Sequence, residues 1–290
     1  MSIRTLLLLI FAVPALVLAG AYALGVKIPV PQWGRDYVMS FLLQEDAPEF
    51  ALPGVDGPDD PTRPLVVIDA GHGGPDFGAS GEGVREKDIV LAMALELRRA
   101  LIEAGGIRVA MTRDSDVIVP LAYRPEIARQ LEADLFVSIH ADSAGDFSDV
   151  SGASVYTLSN EASSEAAARF AARENNADRV NGVEIEGQSE EVSAILVELS
   201  QARTQEDAAE FSSLITREGE GRIVFHPTAP RRSAALVVLR APDVPSVLFE
   251  SGFVTNDADR ERLATEQGRR QYAAVLAQAI RVYFARRAEP

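Results

Sequence analysis

The chain has 290 residues, 47% hydrophobic and 24% charged, enough for one sizeable domain with extra segments or for two small domains. A formal charge of −15 argues against nucleic acid or an anionic membrane surface as the main partner, since both are normally met with an excess of Lys and Arg. The absence of cysteine excludes thiol catalysis, disulfides, iron–sulfur clusters and Cys-ligated zinc, so any metal site must be built from carboxylates and the chain's three histidines.

The first 26 residues carry Arg4, an apolar run from Leu6 to Leu18, and small residues around Ala19-Gly20-Ala21. This is the layout of a secretory signal peptide, or of an uncleaved membrane anchor because the apolar character continues to Val26 and reaches the ~20 residues a bilayer needs. Either reading exports the remainder, which implies a periplasmic location. Residues 27–63 contain repeated prolines and little periodicity, and read as a linker with one short helix near "DYVMSFLLQ".

From residue 64 strands alternate with helices. "PLVVID" is a buried-type strand leading into "AGHGG"; the stretch from Glu86 to Gly106 is helical, with Ile89, Met93, Leu97 and Leu101 at four-residue spacing and a Gly-Gly stop. "IRVAMTR" is the next strand, "PLAYRPEIARQLEA" a second helix, and "DLFVSIHAD" a strand ending in His140. "GASVYTL", "ALVVL" and "PSVLFESGF" are further strands, and the stretch from Asp257 onward closes the chain as helix. The order predicts a single α/β domain over 64–290, a twisted, mostly parallel sheet flanked by helices, with a helical insert at 160–232.

His72, His140 and Glu250 each fall at or just beyond the C-terminal end of a predicted strand, the edge where open α/β sheets bind ligands. Glu86 starts the first helix, where a carboxylate is also accounted for by the helix N-terminus. "GHGGPDFG" lacks the GxGxxG spacing and the Lys-Ser/Thr of a phosphate loop. Two histidines and one carboxylate make a three-ligand zinc set with a fourth position open, the pattern of hydrolytic zinc, and a further glutamate supplies a base.

The motifs "VVIDAGHGGPDFGASGEGVREKDIVLAMALELRRAL", "MTRDSD", "ADLFVSIHADS", "GASVYTL" and "APDVPSVLFESGFVTN" resemble, in order and spacing, the zinc-dependent N-acetylmuramoyl-L-alanine amidases of bacterial cell-wall remodelling. The resemblance covers residues 64 to about 285. It implies zinc ligands at His72, Glu86 and His140 and a catalytic glutamate at Glu250. It also implies hydrolysis of the peptidoglycan amide joining the lactyl group of N-acetylmuramic acid to L-alanine, with Glu250 relaying a proton from water to the leaving amine. Asp69 and Asp142 are candidates for orienting His72 and His140, or else strand-end turn residues.

Within the insert, Ala167, Phe170, Ala171 and Glu174 share one helical face, an acid ending an apolar stripe. Such a carboxylate needs a partner. The insert resembles that of the division-associated amidases, in which a regulatory helix places a glutamate on the zinc until an activator with a LytM-type domain displaces it. Motif position assigns that role to Glu174, with Glu184, Glu186, Glu190, Glu191 and Glu198 as alternatives; a solvated helix-end acid is the competing account. The stretch "SEEVSAILVELSQARTQEDAAEFSSLITRE" reads as amphipathic helix that packs on the domain or receives the activator. His226, the third histidine, reads as a surface-loop residue. A zinc peptidase acting on the wall peptides and a non-catalytic wall-binding protein are the rival functions.

Overall fold

The computed structural model describes residues 52–143, 150–177 and 194–288, so the N-terminal export segment, the helix near "DYVMSFLLQ" and the side chains of Glu184, Glu186, Glu190, Glu191 and Glu198 lie outside the described residues. The strands are β1 (Leu65–Ala70), β2 (Ser80–Gly81), β3 (Val84–Arg85), β4 (Arg108–Met111), β5 (Leu135–His140), β6 (Ser154–Leu158), β7 (Arg231–Ala234) and β8 (Ser246–Glu250). The helices are α1 (Glu86–Ala104), α2 (Tyr123–Gln130), α3 (Glu165–Glu174), α4 (Ala194–Gly219), α5 (Asp257–Ala264) and α6 (Glu266–Ala288).

Six strands form one sheet in the order β4-β1-β5-β8-β6-β7, every neighbouring pair parallel except β6 with β8. Because side chains alternate across a strand, each strand feeds two cores. Val66, Ile68, Val137 and Val247 face a layer containing Met93 and Leu97 of α1, Phe211 of α4 and Tyr272 and Tyr283 of α6. Leu65, Val67, Phe136 and Leu248 face the opposite layer, with Ile127 of α2 and Ala167, Phe170 and Ala171 of α3. All six residues of β1 and of β5 are buried, as expected of strands covered on both faces. Each large apolar side chain so buried contributes about 1.5–3 kcal/mol, so both layers are needed.

Residues 52–63 lie against this unit: Asp56 and Val109 exchange backbone hydrogen bonds at the β4 edge, and Arg98 pairs with Asp56 at 2.7 Å. The terminal helical stretch is divided at Thr265, whose extended backbone ends α5 and whose hydroxyl accepts from Gly268 N–H at 3.0 Å. Among the described residues no helix is long and apolar enough to cross a membrane.

One predicted strand moves. "ALVVL" is not the strand; β7 is Arg231–Ala234, and Val237–Leu239 forms a single 3-10 turn. Asn175, just after α3, explains the difference: its amide donates to Ala235 C=O at 2.7 Å and accepts Val237 N–H at 2.8 Å. Those backbone groups are satisfied by a side chain and leave the ladder. Asn175→Ala would strand them, and is expected to cost about 1–3 kcal/mol in a urea titration with unchanged slope, with faster amide exchange at Val237. An unchanged midpoint would show that water replaces the amide.

Candidate metal centre

Strands β1, β5 and β8 are adjacent and parallel, so their C-terminal ends share one edge, with His140 directly opposite Glu250 in register. Beyond β1 the chain turns back through His72 (φ 57°), Gly73 (φ 131°) and Gly74 (φ 58°). A left-handed histidine costs about 1–3 kcal/mol and persists only where its surroundings impose it. Here two buried arginines do so. Arg113 donates to the carbonyls of Ala70 and Gly71 at 2.9 and 2.7 Å, and Arg124 donates to those of Ala70 and His72 at 2.8 and 2.9 Å.

His72 Nδ1 lies 2.8 Å from Asp76 Oδ2, and Asp76 Oδ1 accepts Gly78 N–H at 3.0 Å. With Nδ1 donating to that carboxylate, Nε2 keeps its lone pair and faces inward. Glu86 is fixed from two sides, its Oε2 accepting Ala79 N–H at 2.7 Å and its Oε1 accepting Ala141 N–H at 2.9 Å. The same Oε1 stands 3.2 Å from His72 Nε2 and 3.2 Å from His140 Nδ1. Glu174, at the end of α3, brings Oε2 to 3.3 Å from His140 Nδ1 and 3.7 Å from His72 Nε2. About 20 Å³ of free space remains beside these groups.

His72 Nε2 and His140 Nδ1 are buried and have no hydrogen-bond partner among the described residues. Buried polar atoms are ordinarily paired, and two orphaned ring nitrogens converging on carboxylate oxygens form a set able to hold a metal ion. Imidazole and carboxylate together fit a borderline cation such as zinc better than the all-oxygen shells of calcium or magnesium. Burial disfavours a charged His72 ring, but Glu86, Asp76 and Glu174 outweigh it and raise its pKa well above the usual value. Burial likewise opposes ionisation of Glu86, and the two imidazoles override it, holding the carboxyl far below the usual range.

Glu250 is fully enclosed. Its Oε2 accepts Asp142 N–H at 3.0 Å, while its Oε1 has no partner among the described residues. Burial, then the neighbouring acids Asp142, Glu86 and Glu174, raise its pKa well above the usual carboxylate range. That is the environment of a group that takes and returns a proton.

Asp69 and Asp142 do not orient the histidines. The Asp69 oxygens are taken by Thr112 at 2.6 Å, Arg124 at 2.8 Å and Ser138 at 2.6 Å, so it braces the sheet edge from below. Asp142 pairs instead with Arg173 of α3. The residue that orients His72 is Asp76, whose only sequence signal was an acid four residues past the histidine. Arg113 and Arg124 gave no such signal. His226 sits in a turn far from this cluster in role, its Nδ1 accepting Ala229 N–H at 3.1 Å.

Residues 66–282 match the family profile described as N-acetylmuramoyl-L-alanine amidase, Amidase_3. The chain belongs to this amidase family. It is 40% identical over 223 residues to the amidase AmiC of Neisseria meningitidis, covering 76% of this chain and 53% of that relative, about half its length. It is 38% identical to AmiA of Salmonella typhimurium, covering 77% of each. Among solved structures, AmiC2 of Nostoc punctiforme superposes with a TM-score of 0.55 at 30% identity, covering 77% of this chain and 97% of that one. The amidase fold therefore carries the cluster described above.

Two glycines of the amidase cluster have no room for a side chain. A Cβ on Gly71 would stand 2.5 Å from the His140 ring, and one on Gly78 would stand 2.6 Å from both Glu86 Oε2 and the His72 ring. Gly71→Ala is expected to push His140 out of place and lower zinc retention at least ~10-fold, read by metal analysis after dialysis, with near-native circular dichroism. Full retention of zinc would show that the ring has somewhere to go.

Proposed function

We propose that this chain is a zinc-dependent peptidoglycan amidase that cleaves between N-acetylmuramic acid and L-alanine during wall remodelling and daughter-cell separation, and that it rests autoinhibited. His72, Glu86 and His140 hold the zinc, Glu250 is the proton relay, and residues 160–232 form the regulatory insert of a catalytic domain spanning 64–290. The reading is carried by one observation: two buried, unpartnered imidazole nitrogens meet Glu86 at the strand edge occupied by Glu250, whose own inner oxygen is also unpartnered.

Zinc at that position supplies Lewis acidity toward the amide carbonyl and a water of lowered pKa. The protein supplies the rest. Asp76 fixes the tautomer and aim of His72, the Asp142 N–H anchors one oxygen of Glu250, and the other oxygen is left free to take a proton from water and deliver it to the departing alanine nitrogen. Arg113 and Arg124 keep the turn carrying His72 from relaxing.

Autoinhibition rests on Glu174, which lies within 3.7 Å of both histidine nitrogens and leaves only a water-sized space. A carboxylate there takes the coordination position that hydrolysis needs open. An activator with a LytM-type domain would act by drawing α3 away. The export segment at 1–26, as a signal peptide or an inner-membrane anchor, would deliver the enzyme to its wall substrate in the periplasm.

Chelation is expected to abolish muropeptide cleavage and stoichiometric zinc to restore it, while Glu250→Gln retains zinc and loses about 10²–10⁴ in kcat. Free stem peptides in the digest identify the amide; loss of single D-amino acids would identify a peptidase instead. Glu174→Ala should raise basal cleavage by at least ~10-fold, since opening an equilibrium by 1.4 kcal/mol already does so. No increase would remove Glu174 from the regulatory role.

A further inference from the structure

The closed site contains an ion pair that metal occlusion does not require. Arg173, the residue before Glu174, donates to Asp142 Oδ2, although its own side chain remains 50% exposed while that of Asp142 is only 9% exposed. Among the described residues this is the one ion pair Asp142 makes, and it comes from the helix that must leave for catalysis. The backbone of Asp142 is fixed independently of α3: its N–H holds Glu250 Oε2 at 3.0 Å and its C=O accepts Val254 N–H at 2.8 Å. When α3 departs, a buried carboxylate loses its cation but keeps its place next to the proton relay. Its Oδ1 accepts Ser143 N–H and stays engaged, whereas Oδ2, the atom that Arg173 holds, is left open to another donor.

The chemistry of the two α3 groups indicates what that donor is. Glu174 presents carboxylate oxygen to the histidine pair, and the neighbouring Arg173 presents planar N–H groups to Asp142. A peptide offers the same two kinds of group, a carbonyl oxygen that can face the histidine pair and an amide N–H that can face Asp142. Resting on the reading of α3 as the cover of the amidase site, we infer that Asp142 is a stem-peptide subsite, and that the Arg173-Glu174 pair closes the enzyme as an internal substrate mimic. Asp142 then positions the stem peptide by accepting one of its backbone N–H groups on the leaving-group side of the scissile amide, beside Glu250.

The experiment uses the full zinc-loaded chain and the free tripeptide stem released by the reaction as probe, titrated calorimetrically, alongside steady-state cleavage of a soluble disaccharide-tripeptide. In a Glu174→Ala background, Asp142→Asn is expected to weaken stem-peptide binding and raise KM about tenfold, the loss of one charge-assisted hydrogen bond, with kcat changed less than about twofold. Arg173→Ala, on a half-exposed helix position where folding is not at stake, is expected to strengthen stem-peptide binding further when added to the Glu174→Ala background, by unmasking Asp142. If Glu174→Ala releases cleavage but Asp142→Asn moves neither KM nor peptide affinity, the subsite is overturned and autoinhibition stands. If Glu174→Ala remains silent while Asp142→Asn still loses peptide binding, the subsite stands and the autoinhibition reading falls. A purely structural Asp142 would change zinc content or the unfolding midpoint and leave the Arg173→Ala affinity unmoved, which also overturns the proposal.

Discussion

The left-handed turn at His72 is the constraint on which the site depends. A histidine at φ 57° is held there because Arg113 and Arg124 donate to the carbonyls of Ala70, Gly71 and His72, are themselves anchored by further bonds to the carbonyls of Lys87, Ser115 and Val119, and Asp69 neutralises Arg124 from beneath. Strand β1 thus ends in a fixed backbone corner, and the corner fixes everything after it. Gly71 admits the His140 ring against the backbone, Asp76 returns four residues later to hold Nδ1, and Gly78 leaves space for Glu86 and His72 to meet. Without the arginines the strain would be released by flipping the turn, and His72 would point elsewhere.

The second organising feature is an excess of buried acid. Glu86, Glu250, Asp142 and Glu174 crowd one pocket, and their mutual repulsion is part of why Asp142 is pushed up to about 7, burial being the first cause and Arg173 the opposing one. Even with the His72 ring biased toward its charged form, two imidazoles do not balance such a set. A divalent cation at their nitrogens does, and it inverts the local electrostatics that otherwise favour protonated carboxyls. The pocket is therefore suited to a charge larger than any side chain in it supplies, which is what supports the proposed metal.

Much of this was legible beforehand, for definable reasons. Strand ends carrying His140 and Glu250 are announced by long buried runs terminating in a polar residue, and parallel topology then places them together without any detail of packing. The face of α3 was readable from Ala167, Phe170 and Ala171, which the structure buries against Tyr156 and its neighbours. The supporting residues were not, because an arginine in "MTRDSD" or "AYRPE" has no local pattern that distinguishes a buried backbone clamp from a solvated helix residue. Asp69 and Asp142 misled because each lies only two or three residues from a histidine, and nearness along the chain does not show which distant groups take their oxygens: Thr112, Arg124 and Ser138 for Asp69, and Arg173 for Asp142. "ALVVL" has the composition of a strand, and only the distant Asn175 diverts it.

The way α3 is attached bears on how such a cover can be lifted. Its apolar face is small, two alanines and one phenylalanine, and its polar ties are the Asn175 amide clamp that follows it, the Arg173–Asp142 pair that is half exposed on the arginine side, and the Glu174 contacts with His72 and His140. Shifting a two-state element from 1:99 to 99:1 takes about 5.5 kcal/mol, comparable with burying two or three large apolar side chains elsewhere. A partner that offers α3 a modest groove can supply that. The sheet and its metal turn are untouched by the exchange, since none of the bonds that fix His72, Glu86 or His140 comes from α3. Under the proposed autoinhibition, separating the cover from the scaffold in this way would leave the site fully assembled while shut, so that opening would need displacement of α3 without refolding of the catalytic residues.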